Sequence, residues 1–243
     1  MFALSLIVVF SFFIMHFIEM AAFGSRVAGR VANRVALGTT LQLSIVTISR
    51  FFLIPLLPAL GYLVESGILI EDYLIIVSSA YILTFLISIV ILLKLNTFQF
   101  FFQKVFKVYN SRTIPMAVLV TAFGYNQNSR ISSCKEFSWD RIVLKKTLLA
   151  CFAYLFLISG FFVAFLLAIL YPDNRLTLSQ FTALFHGIGA ILVAVYIDPM
   201  LSRSIDIYDD HATWINNTYS IIFGRVLSYL LILLAMFIFL VVR

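Results

Sequence analysis

Charged residues are what this sequence has least of. Only 12% of the residues are Asp, Glu, Lys or Arg, whereas soluble domains carry about 25%. Hydrophobic residues make up 63%, and the mean hydropathy is +1.07. A water-soluble domain of 243 residues would lack the polar surface needed to cover its core. The composition therefore argues against a soluble protein and predicts an all-α polytopic membrane protein.

The sequence also lacks the patterns of several enzyme classes. It has only two cysteines, Cys134 and Cys151, which argues against a disulfide framework or a thiolate metal site. There is no GxSxG, P-loop or HExxH motif. We therefore expect no catalytic residues, no cofactor and no resident metal. The net charge of +6 reflects the asymmetry of the loops and gives no reason to expect nucleic acid as a partner.

Apolar runs of about 20 residues, the length that crosses a bilayer, occur six times. Only the second and fifth contain interior prolines, at Pro55, Pro58 and Pro199, where a kink or a helix end is expected. The start of the chain lacks the basic residues of a cleavable signal peptide, so we expect the first span to remain in the mature protein. The predicted spans of this single transmembrane domain, 1–243, cover residues 2–23, 36–63, 73–93, 147–171, 178–201 and 218–242.

A shorter apolar stretch lies between the third and fourth spans. Residues 114–123 are about half the length that a span needs. In the preceding stretch, Lys104 and Lys107 interrupt a run of aromatic residues. We interpret the whole segment, 98–123, as amphipathic and interfacial. A re-entrant segment is the less favoured alternative.

The distribution of basic residues predicts the orientation. The first loop carries Arg26, Arg30 and Arg34 without an acid, and the long third loop holds nine basic residues against two acids. The second loop carries only acidic residues. The fifth loop does not fit the pattern, because it has Arg203 against three acidic residues, but acidic residues contribute little to the positive-inside rule. We therefore expect the first and third loops to be cytoplasmic and both termini to be extracytoplasmic.

One face of the first helix is polar and mostly cationic. If the helix continues through its basic end, five residues fall within an arc of about 80° at 100° per residue. The arginines alone would satisfy the positive-inside rule. Like charges one turn apart repel by a few tenths of a kcal/mol, however, so their alignment favours an anionic partner. The residues of this cationic face are His16, Glu19, Arg26, Arg30 and Arg34.

Arg50 is predicted to lie deep in the second span, about 21 Å from its start at 1.5 Å per residue. Glu19 is estimated to lie about 10 Å away along the membrane normal, so we expect Arg50 to lack an acidic partner. An unpaired cation at this depth indicates a water-filled cavity or a bound anion, with a structural ion pair as the alternative. His186 comes at a similar depth and either lines the same cavity or packs through a hydrogen bond. The polar face of Arg50 also contains Thr39, Thr40, Leu43 and Thr47.

Other ionisable residues have simpler interpretations. Glu19, Arg225 and Asp198 are all predicted near the cytoplasmic side, which favours a structural Glu19–Arg225 or Asp198–Arg225 ion pair. The four potential metal ligands Asp206, Asp209, Asp210 and His211 could hold Mg²⁺. An acidic turn between two helices is the favoured interpretation of that cluster.

The fifth span has small residues on one face. Their spacing of 4, 3 and 4 predicts close approach of a neighbouring helix, from this chain or another. The members of this small-residue face are Ala183, Gly187, Ala190 and Ala194.

Three stretches of the sequence, 16–38, 49–65 and 171–202, resemble the Amj type of lipid II flippase. They contain the cationic face, Arg50 and the small-residue face. The resemblance implies a bacterial cytoplasmic-membrane flippase. Such a protein moves lipid II, or a related undecaprenyl-pyrophosphate-linked saccharide, from the inner to the outer leaflet.

That resemblance implies roles for the arginines. Arg26, Arg30 and Arg34 would recruit the pyrophosphate, and Arg50 would hold it at mid-depth, because arginine binds phosphate bidentately. Membrane lipids are the other expected partners, and the small number of helices for a large head group favours a homodimer. One alternative is an enzyme that acts on polyprenyl phosphates with a metal site at 206–211. Another is a scaffold that does not transport.

Overall fold

The computed structural model describes residues 1–124, 138–206 and 211–242. The secondary structure of these residues is entirely helical, which confirms the all-α prediction. The α-helices are α1 (Phe2–Ala21), α2 (Phe23–Val31), α3 (Val35–Ser49), α4 (Leu53–Glu65), α5 (Ile70–Leu93), α6 (Leu95–Tyr109), α7 (Ile114–Ala122), α8 (Leu144–Leu170), α9 (Arg175–Leu192), α10 (Asp198–Asp206) and α11 (His211–Val242).

Six helical segments are long and apolar enough to cross a membrane, and this confirms the predicted number of spans. Three of the six consist of two α-helices joined end to end. The spans are α1–α2 (Phe2–Val31), α3–α4 (Val35–Glu65), α5 (Ile70–Leu93), α8 (Leu144–Leu170), α9–α10 (Pro172–Asp206) and most of α11 (Thr213–Val242).

Prolines account for two of the three interruptions. A 3₁₀ turn, Arg50–Phe52, separates α3 from α4, because Pro55 has no N–H to donate to the carbonyl one turn earlier. A π-helical segment, Val193–Ile197, separates α9 from α10, just before Pro199. The irregularities predicted at these prolines are therefore present. The interruption at Ala22 in the first span has no proline beside it and was not predicted.

A tight turn joins the first two spans. Asn33 has a φ of 55°, and the N–H groups of Asn33 and Arg34 donate to the carbonyls of Arg30 and Gly29 at 3.2 and 2.7 Å. This pattern is a Schellman motif with asparagine in the left-handed position. A Cβ at Gly29 would lie 2.7 Å from the Cα of Gly38, so α2 and α3 pack backbone to backbone.

The segment predicted to be interfacial forms the helices α6 and α7, and neither is among the candidate spans. Helix α6 packs against α2. A Cβ at Gly24 would lie 2.6 Å from that of Phe98, so the two backbones are in close contact. Arg34 donates to the side-chain oxygen of Asn110, at 2.8 Å, and links the first turn to the end of α6.

Helix α9 packs against α8, but not through the small-residue face. A Cβ at Gly189 would lie 2.5 Å from the backbone nitrogen of Leu157, whereas one at Gly187 would meet no atom within 4 Å. Ala183, Ala190 and Ala194 are exposed. The expectation that this face contacts a neighbouring helix is therefore not met within the described residues. The close contact with α8 is made by Gly189, on the adjacent face of α9.

Candidate substrate-binding cavity

A cavity of about 190 Å³, lined by apolar and charged side chains, lies among the first, second, fourth, fifth and sixth spans. Two helix interruptions border it, the 3₁₀ turn at Arg50 and the π-helical segment Val193–Ile197. Irregular backbone at membrane depth is tolerated where it lines a cavity or is buried in protein. The charged and amide side chains of the lining are Glu19, Arg26, Gln42, Arg50, Asp198 and Arg225.

Glu19 is at the centre of a buried ionic cluster. Its side chain is 1% exposed. Oxygen Oε2 contacts the Arg225 guanidinium, and Oε1 lies 3.2 Å from the Ser49 hydroxyl and 3.3 Å from Nη2 of Arg50. A buried carboxylate is costly unless it is paired and hydrogen-bonded. Glu19 meets this requirement by using both oxygens.

Arg225 is surrounded on all sides. Its Nη2 donates to Nδ1 of His16 at 2.8 Å, its Nε donates to the Tyr229 hydroxyl at 3.2 Å, and its guanidinium lies 4.9 Å from the centre of the Tyr154 ring. Arginine only donates, so Nδ1 of His16 accepts, and that ring is the neutral tautomer with its proton on Nε2. The contacts with Glu19, His16 and Tyr229 leave Arg225 buried and well partnered. Of the two pairings that the sequence left open, the structure contains Glu19–Arg225.

The expectation that Arg50 lacks an acidic partner is wrong, because Glu19 is that partner. The error came from placing the membrane boundary near residue 23. The first span continues to Val31, so Glu19 lies about 18 Å before the turn and Arg50 about 22 Å after it. A tight hairpin of two antiparallel helices brings residues at equal distances from its turn side by side.

Arg50 differs from Arg225 in exposure and in partners. Its side chain is 28% exposed, against 3% for Arg225. Nη1 of Arg50 lies 3.0 Å from Nε2 of His186, whose Nδ1 lies 3.3 Å from the carbonyl oxygen of Leu157. His186 therefore accepts from Arg50 and donates to Leu157, as a neutral ring can. His186 does not line the cavity, but it contacts Arg50, which does.

Arg26 connects the cavity wall on α2 with α10. Its Nη2 lies 3.0 Å from Oδ1 of Asp198, so Asp198 pairs with Arg26 and not with Arg225. Arg26 is 6% exposed, and its Nε has no hydrogen-bond partner within the part of the chain that the structure describes. Arg30 lies one turn further along α2 and is partly exposed. Arg34, the residue that directly precedes α3, points to α6. The structure therefore brings Arg26 and Arg50 to one cavity, with Arg30 and Arg34 outside its lining.

Comparison with known families identifies the chain. The profile of one family, Amj, described as Alternate to MurJ, matches residues 11–240. The chain belongs to the Amj family. It is an alternate lipid II flippase, a multi-pass transporter of peptidoglycan synthesis that takes the place of MurJ. The chain matches no curated protein and no solved structure.

For the Amj chain, the metal-dependent alternative gains no support. Asp206 ends α10. Asp209 and Asp210 lie outside the described residues, as does the side chain of His211. The remaining described residues contain no group of three or more potential ligands. The family is one of transporters, so the expectation that this protein is not an enzyme is confirmed.

Sequence reasoning missed several polar residues of the Amj cavity and its ionic cluster. Gln42 and Tyr154 line the cavity, and Ser49 contacts Glu19. Ser49 directly precedes Arg50, and Gln42 is the only amide side chain in 35–65, so both carried a usable signal. Tyr154 is one of 11 tyrosines, and nothing in its local sequence distinguishes it.

Proposed function

We propose that this cavity binds the pyrophosphate of lipid II while the lipid moves from the inner to the outer leaflet of the bacterial cytoplasmic membrane. Arg50 is the principal ligand in this proposal and Arg26 the second. The observation that carries it is the exposure of Arg50 to the cavity at membrane depth. Three guanidinium groups and two carboxylates line the cavity, which leaves an excess of positive charge for a dianionic group.

The partners of Arg50 allow it to exchange Glu19 for a phosphate. Glu19 also contacts Arg225 and Ser49, so it would keep two partners when Arg50 turns toward the substrate. Stranding an unpaired buried charge costs about 3–5 kcal/mol, and this arrangement avoids that cost. Arg225 has no comparable freedom, because it is buried among fixed partners.

Arg26 and His186 would act beside Arg50. The unpartnered Nε of Arg26 is a donor that a phosphate oxygen could satisfy, in addition to the Asp198 ion pair. His186 would hold the planar guanidinium of Arg50 in one orientation, as bidentate binding of phosphate requires. Arg30 and Arg34, near the first turn, would attract the pyrophosphate before it enters.

The size of the cavity implies that transport requires movement. A volume of about 190 Å³ is below the 300–1,000 Å³ of pockets for drug-sized ligands. It admits a pyrophosphate but not the saccharide and peptide of lipid II. The interruptions at Arg50 and at Val193–Ile197 are where the second and fifth spans would bend to widen it, as discontinuous helices do in other transporters.

The decisive experiment measures pyrophosphate-lipid affinity and melting temperature on the same preparation. Arg50→Gln should weaken binding of a lipid-linked pyrophosphate by about tenfold or more, since each charge-assisted hydrogen bond contributes about 1.5–3 kcal/mol. Arg50→Lys should recover part of the affinity, because lysine keeps the positive charge but lacks the paired N–H donors of the guanidinium group. Exposed Lys94→Gln removes the same charge and should leave affinity unchanged. Unchanged affinity in Arg50→Gln with a lowered melting temperature would refute the binding role.

The proposed direction of transport requires cytoplasmic first and third loops and extracytoplasmic termini, as the basic residues indicate. Ser66 follows α4 and Ser111 follows α6, and both are exposed. In a cysteine-free background, Ser66→Cys should react with an impermeant thiol reagent in intact cells, and Ser111→Cys should react only after lysis. The reverse pattern would contradict the orientation.

We further propose that residues 1–243 act as one transmembrane unit and that two copies associate. The reason to expect association is that the cavity enclosed by one chain is small compared with the head group of lipid II. Crosslinking in native membranes should yield a dimer at low expression levels. A monomer that flips lipid II in vesicles containing one copy each would rule out the dimer.

A further inference from the structure

A second pocket lies at one end of the bundle, between the start of α8, α10 and the start of α11. Its volume is about 410 Å³, far above the 10–15 Å³ that one water needs. It shares no lining residue with the central cavity. It is lined by Lys146, Val195, Tyr196, Pro199, Met200, Arg203, Ser204, Thr213 and Asn217.

The pocket has a cationic end. Lys146 and Arg203 are the basic residues of its described lining, and no described Asp or Glu lines it. Lys146 donates to the side-chain oxygen of Asn217, which is 2% exposed, so the lysine is held at the pocket wall. Arg203 is exposed. Two cations with hydroxyl and amide groups beside them are the usual surroundings of a bound phosphate.

The other end of the pocket is apolar. Val195 and Tyr196 are 55% and 52% exposed, on a span that would face lipid. Pro199 and Met200 continue this wall toward the cations. A ligand that fits both ends has an anionic head and a hydrocarbon tail.

The pocket also lies at the depth where lipid head groups are found. Lys146 is near the start of the span Leu144–Leu170, Arg203 is near the end of Pro172–Asp206, and Thr213 begins Thr213–Val242. In a chain of six consecutive spans, the start of the fourth, the end of the fifth and the start of the sixth lie on the same side of the membrane. Basic pockets between transmembrane helices at this level are suited to anionic phospholipids.

We propose that this pocket binds an anionic phospholipid of the surrounding membrane, with its phosphate between Lys146 and Arg203 and an acyl chain along Val195 and Tyr196. The site is separate from the substrate cavity, and the inference does not rest on the proposed role of Arg50. The bound lipid would pack against the π-helical segment Val193–Ile197, whose other side lines the central cavity. A bound lipid would therefore stabilise the fifth span at its π-helical segment.

The test is lipid binding by the full-length protein in a neutral detergent. Native mass spectrometry would compare phosphatidylglycerol with phosphatidylethanolamine at equal concentrations. We expect phosphatidylglycerol to bind preferentially and the Lys146→Gln/Arg203→Gln variant to bind it about tenfold more weakly or worse. The matched control is Lys94→Gln/Lys145→Gln, which removes the same charge from two exposed lysines outside the pocket. It should bind like the parent.

Three outcomes would overturn the proposal. One is equal binding of the two lipids by the parent protein. Another is equal phosphatidylglycerol affinity in the pocket variant and the control. The third is displacement of phosphatidylglycerol by equimolar inorganic phosphate, which would identify a site for free phosphate. Circular dichroism of both variants checks that they are folded. Retained lipid-linked pyrophosphate binding in the pocket variant would show that the central cavity is intact.

Discussion

The first and fourth spans differ from the second and fifth in burial and in proline content. In the most apolar stretch of Phe2–Val31 and of Leu144–Leu170, 56% of the residues are buried, against 22% for Val35–Glu65 and 17% for Pro172–Asp206. The two peripheral spans contain the interior prolines and the 3₁₀ and π-helical segments. The central cavity lies between these two kinds of span. A packed inner pair and an outer pair with proline-associated interruptions suggest a rigid frame and two movable walls.

The two arginine partners of Glu19 differ in a related way. Arg225 comes from the uninterrupted sixth span, and its side chain is only 3% exposed. On the peripheral side Arg50 comes from the interrupted second span and is partly exposed. Identical side chains on one carboxylate can therefore have different roles, because burial decides which of them a ligand can reach.

The largest effect is expected at the buried Arg225. Arg225→Gln would leave Arg50 as the only arginine partner of Glu19 and remove the contacts to His16 and Tyr229. Breaking a buried pair costs about 3–5 kcal/mol, so the melting temperature in detergent should fall sharply. Adding Glu19→Gln to Arg225→Gln should recover part of the loss, because the buried carboxylate that has lost its enclosed arginine partner is gone. If Arg225→Gln melted at the parental temperature, the structural role that distinguishes Arg225 from Arg50 would be refuted.

A smaller effect should separate two glycines of the fifth span. Gly189→Ala would place a methyl group 2.5 Å from the backbone of Leu157, which cannot move without shifting α8. We expect a loss of about 1–3 kcal/mol of stability, as for overpacked cores. Gly187→Ala is the matched control, because its Cβ meets no atom within 4 Å, and it should melt at or slightly above the parental temperature. Equal melting temperatures would mean that α9 is not packed on α8 as described.

The smallest effect on stability is expected at the π-helical segment. Pro199→Ala restores an N–H that can bond to the carbonyl of Val195 and favours a regular helix. The melting temperature should stay constant or rise, while leaflet exchange of lipid II in vesicles should slow if this wall must bend. Leu201→Ile, a volume-conserving change in α10, serves as a control for altered packing. Unaltered exchange in Pro199→Ala would show that the interruption is not a hinge.

Much of the architecture follows from local sequence. Apolar length determines the six spans because each must satisfy its backbone hydrogen bonds within the bilayer. Pro55 and Pro199 determine where two of them are interrupted, because proline removes a donor wherever it occurs. Helical periodicity also placed Glu19 and Arg26 on one face of the first span.

Only the tertiary structure decided how the charged residues pair. Glu19 meets Arg50 because the hairpin turns at Asn33, about ten residues beyond the boundary that hydropathy suggested. Asp198 meets Arg26 because the fifth span crosses near α2, a relation between distant segments that periodicity within one helix does not contain. Hydropathy measures the free energy of each segment in lipid, whereas pairing depends on the distances between segments. Those distances are determined by packing contacts such as Gly29 on Gly38 and Gly189 on Leu157.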